Sequence, residues 1–243
     1  MMPRFFADTS NLSEIQQAAD TGLIFGVTTN PSIIAKMNPG LSMKESIQKI
    51  LSGVPDIPIS VQVTVRDPKE MVRQGEEYFS WDPNRIVVKV PMGVMQDGLT
   101  SLFAIKRLSQ QGIPVNVTSC MTYEQAYAGL AAGGRYLSLF WCRMIDAGLD
   151  AAQIVGMTRQ AIEKGFGFSG RFKEKEIIAG SLRESKHVID AMDAGAHICT
   201  VPFSQKDGSP LFQKLVEQLI SHERTTSTNE EFYKNAESIG KRI

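Results

Sequence analysis

The sequence contains few cysteines and histidines, and this limits the chemistry open to it. Among its 243 residues are three cysteines, Cys120, Cys142 and Cys199, and three histidines that lie in different segments. The cysteines are too few and too widely spaced for a disulfide framework or a zinc knuckle. No cluster of His, Cys and carboxylate residues has the spacing of metal ligands. We therefore expect no tightly held metal and a reducing compartment, by default the cytoplasm.

The chain also lacks an excess of either charge and a long apolar run near its start. Its 26 basic and 26 acidic side chains give a formal net charge of zero, and Lys and Arg are scattered along the chain. Such a distribution offers no electrostatic footprint for nucleic acid or an acidic membrane surface. The stretch before Asp8 is too short and polar for a signal peptide or membrane anchor. The composition therefore predicts a small-molecule partner, with neither nucleic acid nor a membrane.

No linker-like stretch of Pro, Gly or Ser divides the sequence, so residues 1–243 are expected to form a single domain. Short apolar runs alternate with segments of helical spacing. The eight runs span residues 4–8, 24–28, 58–63, 85–90, 113–117, 136–140, 176–180 and 197–201. Strands that are apolar on both faces and alternate with helices indicate a parallel sheet, and this count fits a (β/α)8 TIM barrel. A doubly wound open sheet is the main alternative.

The C-terminal segment is predicted to add a helix to the barrel. After the eighth predicted helix, the polar stretch "SHERTTSTN" leads into "EEFYKNAESIGKRI", and we place the extra helix at about residues 229–243. We expect it to pack on a neighbouring subunit.

Polar residues are found at the ends of seven of the eight predicted strands, where the active sites of parallel barrels lie. The end of the eighth predicted strand is comparatively apolar. The polar positions are Asp8, Thr28, Asn30, Gln62, Lys89, Asn116, Thr118, Ser138, Arg143, Ser181 and Arg183.

Most of these residues also have a structural interpretation. Asp8 fits a helix N-cap as well as it fits a catalyst. Thr28 and Asn30 suit the turn before Pro31, which is typical of a first helical residue. Arg143 and Arg183 suit surface ion pairs, and Ser138 suits a small residue that fills a barrel.

Lys89 differs because it stands in the apolar run "IVVKV". A structural role there requires either a side chain that snorkels outward or a buried ion pair. Burial disfavours the ammonium, so a lysine in this setting can lose its proton near neutral pH. The resulting amine can attack a carbonyl carbon and form a Schiff base. The sequence therefore favours Lys89 as a nucleophile, with the other strand ends serving a polyhydroxylated, anionic substrate.

Five segments together resemble the short form of the transaldolase family, which includes fructose-6-phosphate aldolases. The resemblance covers roughly residues 4–203 and becomes poor beyond them. It is carried by "FFADTSNLSEIQQAADTGLIFGVTTNPSIIAK", "VVKVPMGVMQDGL", "GIPVNVT", "LSLFWCRMIDAG" and "AGSLRESKHVIDAMDAGAHICTVPF". It implies a class I aldolase barrel without metal or organic cofactor, working in sugar-phosphate metabolism such as the pentose phosphate pathway. It also implies a ring-shaped homo-oligomer of five or ten subunits.

The resemblance implies a role for each site residue. Lys89 matches the Schiff-base lysine, and Asp8 matches the acid/base that takes the C4 hydroxyl proton of a ketose donor. Thr118 and Gln62 match the pair that positions a water. Substrate hydroxyls are held at the positions of Asn30, Asn116 and Ser138, and a terminal phosphate at those of Arg143, Ser181 and Arg183. Thr28 stands in the matched motif beside Asn30, and we place it with the substrate-binding residues.

Three positions help to decide between transfer of the three-carbon unit and simple aldol cleavage. The aldolase branch has Tyr where this chain has Phe140 and lacks an Asn at position 116, so both residues here match transaldolases. Gln62 instead matches the aldolase branch and cannot accept a proton. A transaldolase is therefore the leading prediction, and an aldolase that releases dihydroxyacetone is the alternative.

Other departures concern the substrate. Ser119, Cys120, Trp141 and Cys142 differ from the family pattern, and we expect these positions to lie near the substrate. Guanidinium groups can hold a sulfonate as well as a phosphate. Donor sugar phosphates are therefore the first expectation and a sulfo-sugar such as 6-deoxy-6-sulfofructose the alternative. A barrel that binds a sugar phosphate without turning it over is a further hypothesis.

Overall fold

Eight parallel strands close into a barrel in the computed structural model, which describes residues 3–54, 56–93, 95–165, 172, 174–205 and 207–239. Neighbouring barrel strands follow the order β1-β2-β3-β4-β7-β8-β9-β10 and back to β1. This closure confirms the predicted (β/α)8 barrel and excludes the open sheet. The strands are β1 Arg4–Asp8, β2 Ile24–Thr28, β3 Ile59–Gln62, β4 Ile86–Pro91, β5 Met95–Gln96, β6 Leu99–Thr100, β7 Val115–Cys120, β8 Tyr136–Phe140, β9 Glu176–Gly180 and β10 Ile198–Val201.

Helices connect successive barrel strands and cover the outside of the barrel. The short strands β5 and β6 form an antiparallel hairpin after β4, which the sequence did not predict. The helices are α1 Leu12–Asp20, α2 Pro31–Met37, α3 Met43–Gly53, α4 Pro68–Trp81, α5 Ser101–Gln110, α6 Tyr123–Ala131, α7 Trp141–Asp146, α8 Ala151–Glu163, α9 Ser185–Asp193, α10 Leu211–Ile220 and α11 Glu223–Ile239.

The barrel interior is filled in layers. Arg4 and Glu176 form an ion pair near the amino-terminal ends of the strands. An apolar cluster that we call the interior layer lies above them, and it consists of Phe6, Val87, Tyr136, Ile178 and Ile198. Polar residues occupy the carboxyl-terminal ends of the strands. Because the interior layer is packed, it separates those polar residues from the opposite end of the barrel and supports them from below.

A glycine on β2 makes room for the largest ring of the interior layer. A Cβ atom built on Gly26 would lie 2.5 Å from the nearest carbon of the Phe6 ring, which is closer than carbon atoms can approach without movement. Phe6 is almost completely buried. The packing of the interior layer therefore requires the large ring of Phe6 on β1 and a glycine at position 26 on β2.

A C-terminal helix is present, but it is longer than predicted. Helix α11 begins at Glu223 instead of about residue 229, so most of the stretch predicted to be a connector is helical. Residues 240–243 of the predicted helix lie outside the described residues. The described side chains of α11 are all exposed, including Phe232, Tyr233 and Ile239. None of the helices in the described ranges has the length and apolar character needed to cross a bilayer.

Replacement of Gly26 by Ala should destabilise the barrel. The new methyl group would collide with Phe6 in a packed interior, and overpacking of this kind lowers the free energy of unfolding by about 1–3 kcal/mol. Urea unfolding followed by circular dichroism measures this free energy.

Gly156→Ala is the matched control because the same change is made on helix α8. The nearest atom to a Cβ at Gly156 is a carbonyl oxygen at 3.7 Å, an ordinary contact. Alanine is also favoured over glycine in a helix by up to about 1 kcal/mol. Equal effects of the two substitutions would contradict the proposed packing at Gly26.

Candidate active site

A cleft of about 530 Å³ opens at the carboxyl-terminal ends of the barrel strands. We call it the lysine cleft. Most of the predicted site residues line it: Asp8, Asn30, Gln62, Lys89, Ser138, Phe140, Arg143 and Ser181. The remaining four lie beside it, with Thr28, Asn116 and Thr118 buried in the barrel wall and Arg183 at the mouth of a neighbouring cleft. The structure thus brings residues from distant segments to one face of the barrel.

Lys89 lies near the end of β4 and is only 4% exposed. Strand register places it beside Gln62 on β3 and Asn116 on β7. Its Nζ atom donates to the Thr29 carbonyl oxygen at 3.1 Å. Burial lowers the pKa of Lys89, and the opposing field of the Asp8 carboxylate is the smaller influence. The side chain therefore does not snorkel outward, and its amine is shifted toward the neutral, nucleophilic form.

Asp8 ends β1 and faces the same cleft. Burial raises its pKa, while the charge of Lys89 and a hydrogen bond from Thr28 act in the lowering direction. The cap of helix α1 is Asn11, whose Oδ1 atom accepts from the Ser13 and Glu14 amides at 3.0 and 3.4 Å. The interpretation of Asp8 as the cap is therefore wrong, and its carboxyl group is left for the cleft.

Thr28 is buried behind Asp8. Its hydroxyl donates to Asp8 Oδ1 at 2.7 Å and lies 2.5 Å from the hydroxyl of Thr200 on β10. Thr200 itself lines the lysine cleft. The sequence interpretation missed Thr200 because the last strand end was taken as apolar. The indication of Thr200 in the sequence was the threonine of "HICTV", and threonine is common in any strand.

A second chain of polar groups crosses strands β8, β7 and β3. The Ser138 hydroxyl donates to Asn116 Oδ1 at 2.8 Å, and Asn116 Nδ2 donates to the Ser60 hydroxyl at 3.1 Å. Asn116 is completely buried, and these two contacts satisfy one donor hydrogen and one acceptor site of its amide group. Ser138 is thus more than a space filler, since its position is fixed at the cleft surface by a buried amide.

Thr118 and Asn30 differ in their hydrogen bonding and in their position relative to the lysine cleft. Thr118 on β7 is fully buried, and within the described part of the chain its hydroxyl has no hydrogen-bond partner. Asn30 caps helix α2 through a bond from the Ile33 amide to Oδ1 at 3.0 Å, and it also lines the lysine cleft. The turn interpretation of Asn30 is therefore correct, and its amide group remains able to donate to a ligand.

The lysine cleft opens into a wider one of about 920 Å³, which we call the anion cleft. Arg143 and Ser181 line both clefts, and Arg183 lines the wider one. The Arg143 guanidinium lies over the Phe140 ring, 5.1 Å from its centroid. Arg183 forms a two-point ion pair with Asp146, in which Nη1 and Oδ1 are 2.9 Å apart. The surface-pair interpretation is therefore correct for Arg183, whereas Arg143 contacts an aromatic face.

The four residues that depart from the family pattern do not all face the substrate. Ser119 lines the lysine cleft, with a φ angle of 63° in the left-handed region. Cys120, Trp141 and Cys142 belong to the apolar layer between strands and helices. The sulfur of Cys142 lies 3.3 Å from Nδ1 of His187. The expectation that these positions lie near the substrate is met by Ser119 and is wrong for the other three.

Among the residues that the structure describes, no group of three or more His, Cys, Asp or Glu side chains is arranged to hold a metal ion. The lysine cleft offers instead the buried amine of Lys89, the exposed amine of Lys36, the guanidinium of Arg143, one carboxyl group and several neutral hydroxyls and amides. This set suits covalent capture of a carbonyl compound with proton transfer at a neighbouring oxygen.

Comparison with known proteins identifies the family of the chain. The sequence model of the transaldolase/fructose-6-phosphate aldolase family matches residues 5–241, beyond the point where the motif resemblance weakens. A probable transaldolase of Dehalococcoides mccartyi is 35% identical over 239 residues, 98% of this chain and 100% of the relative. A probable transaldolase of Clostridium acetobutylicum is 39% identical over 232 residues, 96% of each chain.

A solved mandelate oxidase variant with an FMN adduct superposes with a TM-score of 0.56 at 15% identity, covering 88% of this chain and 70% of the other. At that identity the likeness concerns the barrel fold alone. The family match spans nearly the whole chain, and the chain therefore belongs to the transaldolase/fructose-6-phosphate aldolase family of enzymes.

Proposed function

We propose that this enzyme is a transaldolase, which moves a dihydroxyacetone unit from a ketose with an anionic end to an aldehyde acceptor through a Schiff base on Lys89. The observation that carries the proposal is the burial of Lys89 beside Asp8 at the floor of a cleft. A non-catalytic sugar-binding barrel has no need of such an amine, since a buried ammonium destabilises the fold unless it is compensated.

The first stage is covalent capture. The neutral amine of Lys89 attacks the C2 carbonyl carbon of the ketose, and loss of water gives an iminium ion. Gln62 lies in register with Lys89 on the neighbouring strand, and the Thr118 hydroxyl is unused by the described protein groups. Together they supply the donors and acceptors that would hold the water produced in this step.

The second stage is cleavage and transfer. Asp8 takes the proton of the C4 hydroxyl, the C3–C4 bond breaks, and its electron pair passes into the iminium to leave an enamine on Lys89. The aldose product departs with its new carbonyl at the former C4. The enamine carbon then attacks the acceptor aldehyde, Asp8 returns the proton to the new hydroxyl, and water releases the product from Lys89.

An aldolase outcome is the second candidate, and it rests on Gln62, which lines the lysine cleft. Release of free dihydroxyacetone requires that the enamine be protonated before an acceptor arrives. The residue beside it at the end of β8 is Phe140, whose ring has no proton to give and is occupied by Arg143. The described geometry therefore favours transfer over release.

The anionic end of the substrate is assigned to Arg143, Ser181 and Arg183. One feature of these residues favours a sulfonate over a phosphate as the bound anion. The two-point ion pair with Asp146 occupies one edge of the Arg183 guanidinium and offsets its charge. Arg143 and Lys214 also line the anion cleft and can attract an anion, but an Arg183 charge that is partly offset lowers the advantage of a near-dianionic phosphate over a monoanionic sulfonate.

We also propose that α11 packs on a neighbouring copy of the chain in a homo-oligomer. Helix α11 projects Phe232 and Tyr233 into solvent at 60% and 66% exposure. A 17-residue helix whose described side chains are all exposed gains little from tertiary packing, and such a helix is marginal in water. A contact with a second subunit would cover these aromatic rings.

Borohydride reduction in the presence of a donor ketose should attach a three-carbon unit to the peptide that contains Lys89. The expected modification follows from trapping of the iminium, and peptide mass spectrometry measures it. Both a phosphorylated and a sulfonated ketose should be used as donors. An enzyme that turns over such a donor while Lys89 stays unmodified would disprove the Schiff-base mechanism.

The control for trapping is Lys89→Ala, which should lose the modification and the activity. A donor that raises the melting temperature of Lys89→Ala and of the unchanged protein equally, with no trapping in either, would instead indicate a binding protein. Incubation with donor alone distinguishes the two enzyme outcomes. A transaldolase releases about one equivalent of aldose per subunit, whereas an aldolase releases dihydroxyacetone continuously.

Asp146→Asn should shift donor preference toward phosphate. Loss of the carboxylate frees the Arg183 guanidinium, and a dianion gains more from the restored charge than a monoanion does. Because the pair is about half exposed, kcat/KM for a phosphorylated ketose should rise by about two- to fivefold relative to a sulfonated one.

Glu163→Gln is the matched control, since it removes the carboxylate of another exposed arginine pair, Arg159 with Glu163, and changes net charge equally. The donor ratio should stay constant in this variant. A ratio that moves by the same factor in both variants would show that net charge, and not the Arg183 pair, determines the preference.

Removal of α11 by ending the chain at Ser221 should lower the particle mass measured by multi-angle light scattering. The full-length double variant Phe232→Ser/Tyr233→Ser should lower it as well, because the apolar side chains are the proposed contact. Retained melting temperature and trapping at Lys89 would show that the barrel is intact. Unchanged mass in both proteins would rule out α11 as the intersubunit contact.

A further inference from the structure

The hydroxyl of Thr28 lies between two oxygen atoms that compete for its single hydrogen. Asp8 Oδ1 is 2.7 Å away and the Thr200 hydroxyl is 2.5 Å away. Both threonines are almost completely buried, at 1% and 5% exposure. The three residues lie on β2, β1 and β10, which are neighbours in the barrel, so the backbone fixes their spacing.

The number of hydrogens determines the direction of these bonds. A carboxylate can only accept, so the hydrogen of Thr28 must point to Asp8 while Asp8 is ionised. The short contact between the two hydroxyls then needs the hydrogen of Thr200, which points to the Thr28 oxygen. A hydroxyl that accepts one hydrogen bond donates a stronger one, so Thr200 strengthens the bond from Thr28 to Asp8.

We propose that Thr200 is a positioning residue for proton transfer at Asp8, which holds the Thr28 hydrogen on Oδ1 and so leaves Oδ2 to exchange the proton of the substrate hydroxyl. This inference rests on the proposed role of Asp8 as the acid/base. Nothing in the sequence motifs or the similarity to relatives assigns a role to Thr200.

Other charged and polar groups also influence Asp8, and their effects must be distinguished from the effect of Thr200. Lys89 on β4 is the charged group whose field reaches Asp8, and Arg143 on α7 and Lys36 on α2 line the same cleft. Asn30 and Gln62 contribute neutral polar side chains to its wall. Once Lys89 is part of the iminium it no longer titrates as a free amine. The pH dependence of kcat, which reports the substrate complex, is therefore the measurement that reflects Asp8.

Thr200→Val removes the hydroxyl and keeps the shape. We expect kcat to fall by about three- to tenfold, the effect of one hydrogen bond, with a donor KM that changes by less than about twofold. Weaker donation to the carboxylate favours its protonated form, so the acid limb of the kcat profile should move to higher pH. Thr200→Ser keeps the hydroxyl and should restore both kcat and the profile.

Two further variants test whether Thr200 acts through Thr28. The double variant Thr28→Val/Thr200→Val should be no slower than Thr28→Val alone, because the second hydroxyl has nothing left to orient. Thr158→Val is the matched control: Thr158 on α8 is fully buried, and its hydroxyl donates within its own helix to the Ile154 carbonyl at 2.8 Å. Its loss should leave kcat and the pH profile unchanged.

The outcomes separate this inference from the proposed function. If borohydride traps the Lys89 adduct in Thr200→Val but kcat and the acid limb equal those of the unchanged enzyme, the role of Thr200 is refuted while the Schiff-base mechanism stands. A raised KM without a moved acid limb would also refute it, since it would show a substrate contact. Absence of trapping in the unchanged enzyme would overturn the proposed function itself.

Discussion

The rest of the site depends on one constraint, the burial of the Lys89 amine among apolar strands. Lys89 has a backbone carbonyl as its hydrogen-bond partner and the Asp8 carboxylate as its nearest opposing charge. Burial outweighs the Asp8 charge and lowers the pKa of Lys89, which shifts the amine toward its neutral form. The interior layer, which includes Val87 on the same strand, lies below the amine, and the pairing of Phe6 with Gly26 keeps that layer packed.

The same burial makes the neighbouring polar groups depend on one another. Buried hydroxyls and amides must be hydrogen-bonded or they destabilise the fold. Asn116, Ser138 and Ser60 satisfy this requirement as one chain, and Asp8, Thr28 and Thr200 as another. Asp8 and Ser138 line the lysine cleft, and each is hydrogen-bonded to a fully or almost fully buried residue, Thr28 or Asn116. The orientation of these two cleft side chains is therefore fixed by buried neighbours on other strands.

The sequence predicted the strands, the closed barrel and most of the cleft because all three follow from local patterns. Short apolar runs define the strands, and the carboxyl ends of parallel strands must meet at one face. Lys89 was identifiable because a charge in an apolar run is rare, whereas Thr200 was not, since threonine is ordinary in a strand. The partner of Arg183 was also hidden, because Asp146 lies 37 positions away and only the fold brings the two together.

The error at Cys120, Trp141 and Cys142 has a related cause. Alternation along a strand predicts which side chains face the barrel interior, but it fails where the strand ends or bulges. Helix α7 begins at Trp141, directly after β8, and turns Trp141 and Cys142 into the outer apolar layer. The pairing of β7 with β8 shifts register between Val117 and Cys120, and Ser119 takes a left-handed conformation there. A single residue out of alternation is enough to reverse the side on which the following residue lies.

The residues proposed for lysine chemistry and those proposed for anion recognition therefore lie on different kinds of structural element. Lys89, Asp8 and their partners stand on strands, where register allows little change. The anion cleft is lined by α7, the segment after β9 and the segment after β10, which are free to vary without disturbing the barrel. Ser181 joins the two, and its φ angle of 58° shows a strained backbone held at the junction. If Lys89 forms the proposed Schiff base, the anionic end of the donor can therefore change through these segments without any change on the strands that hold Lys89 and Asp8.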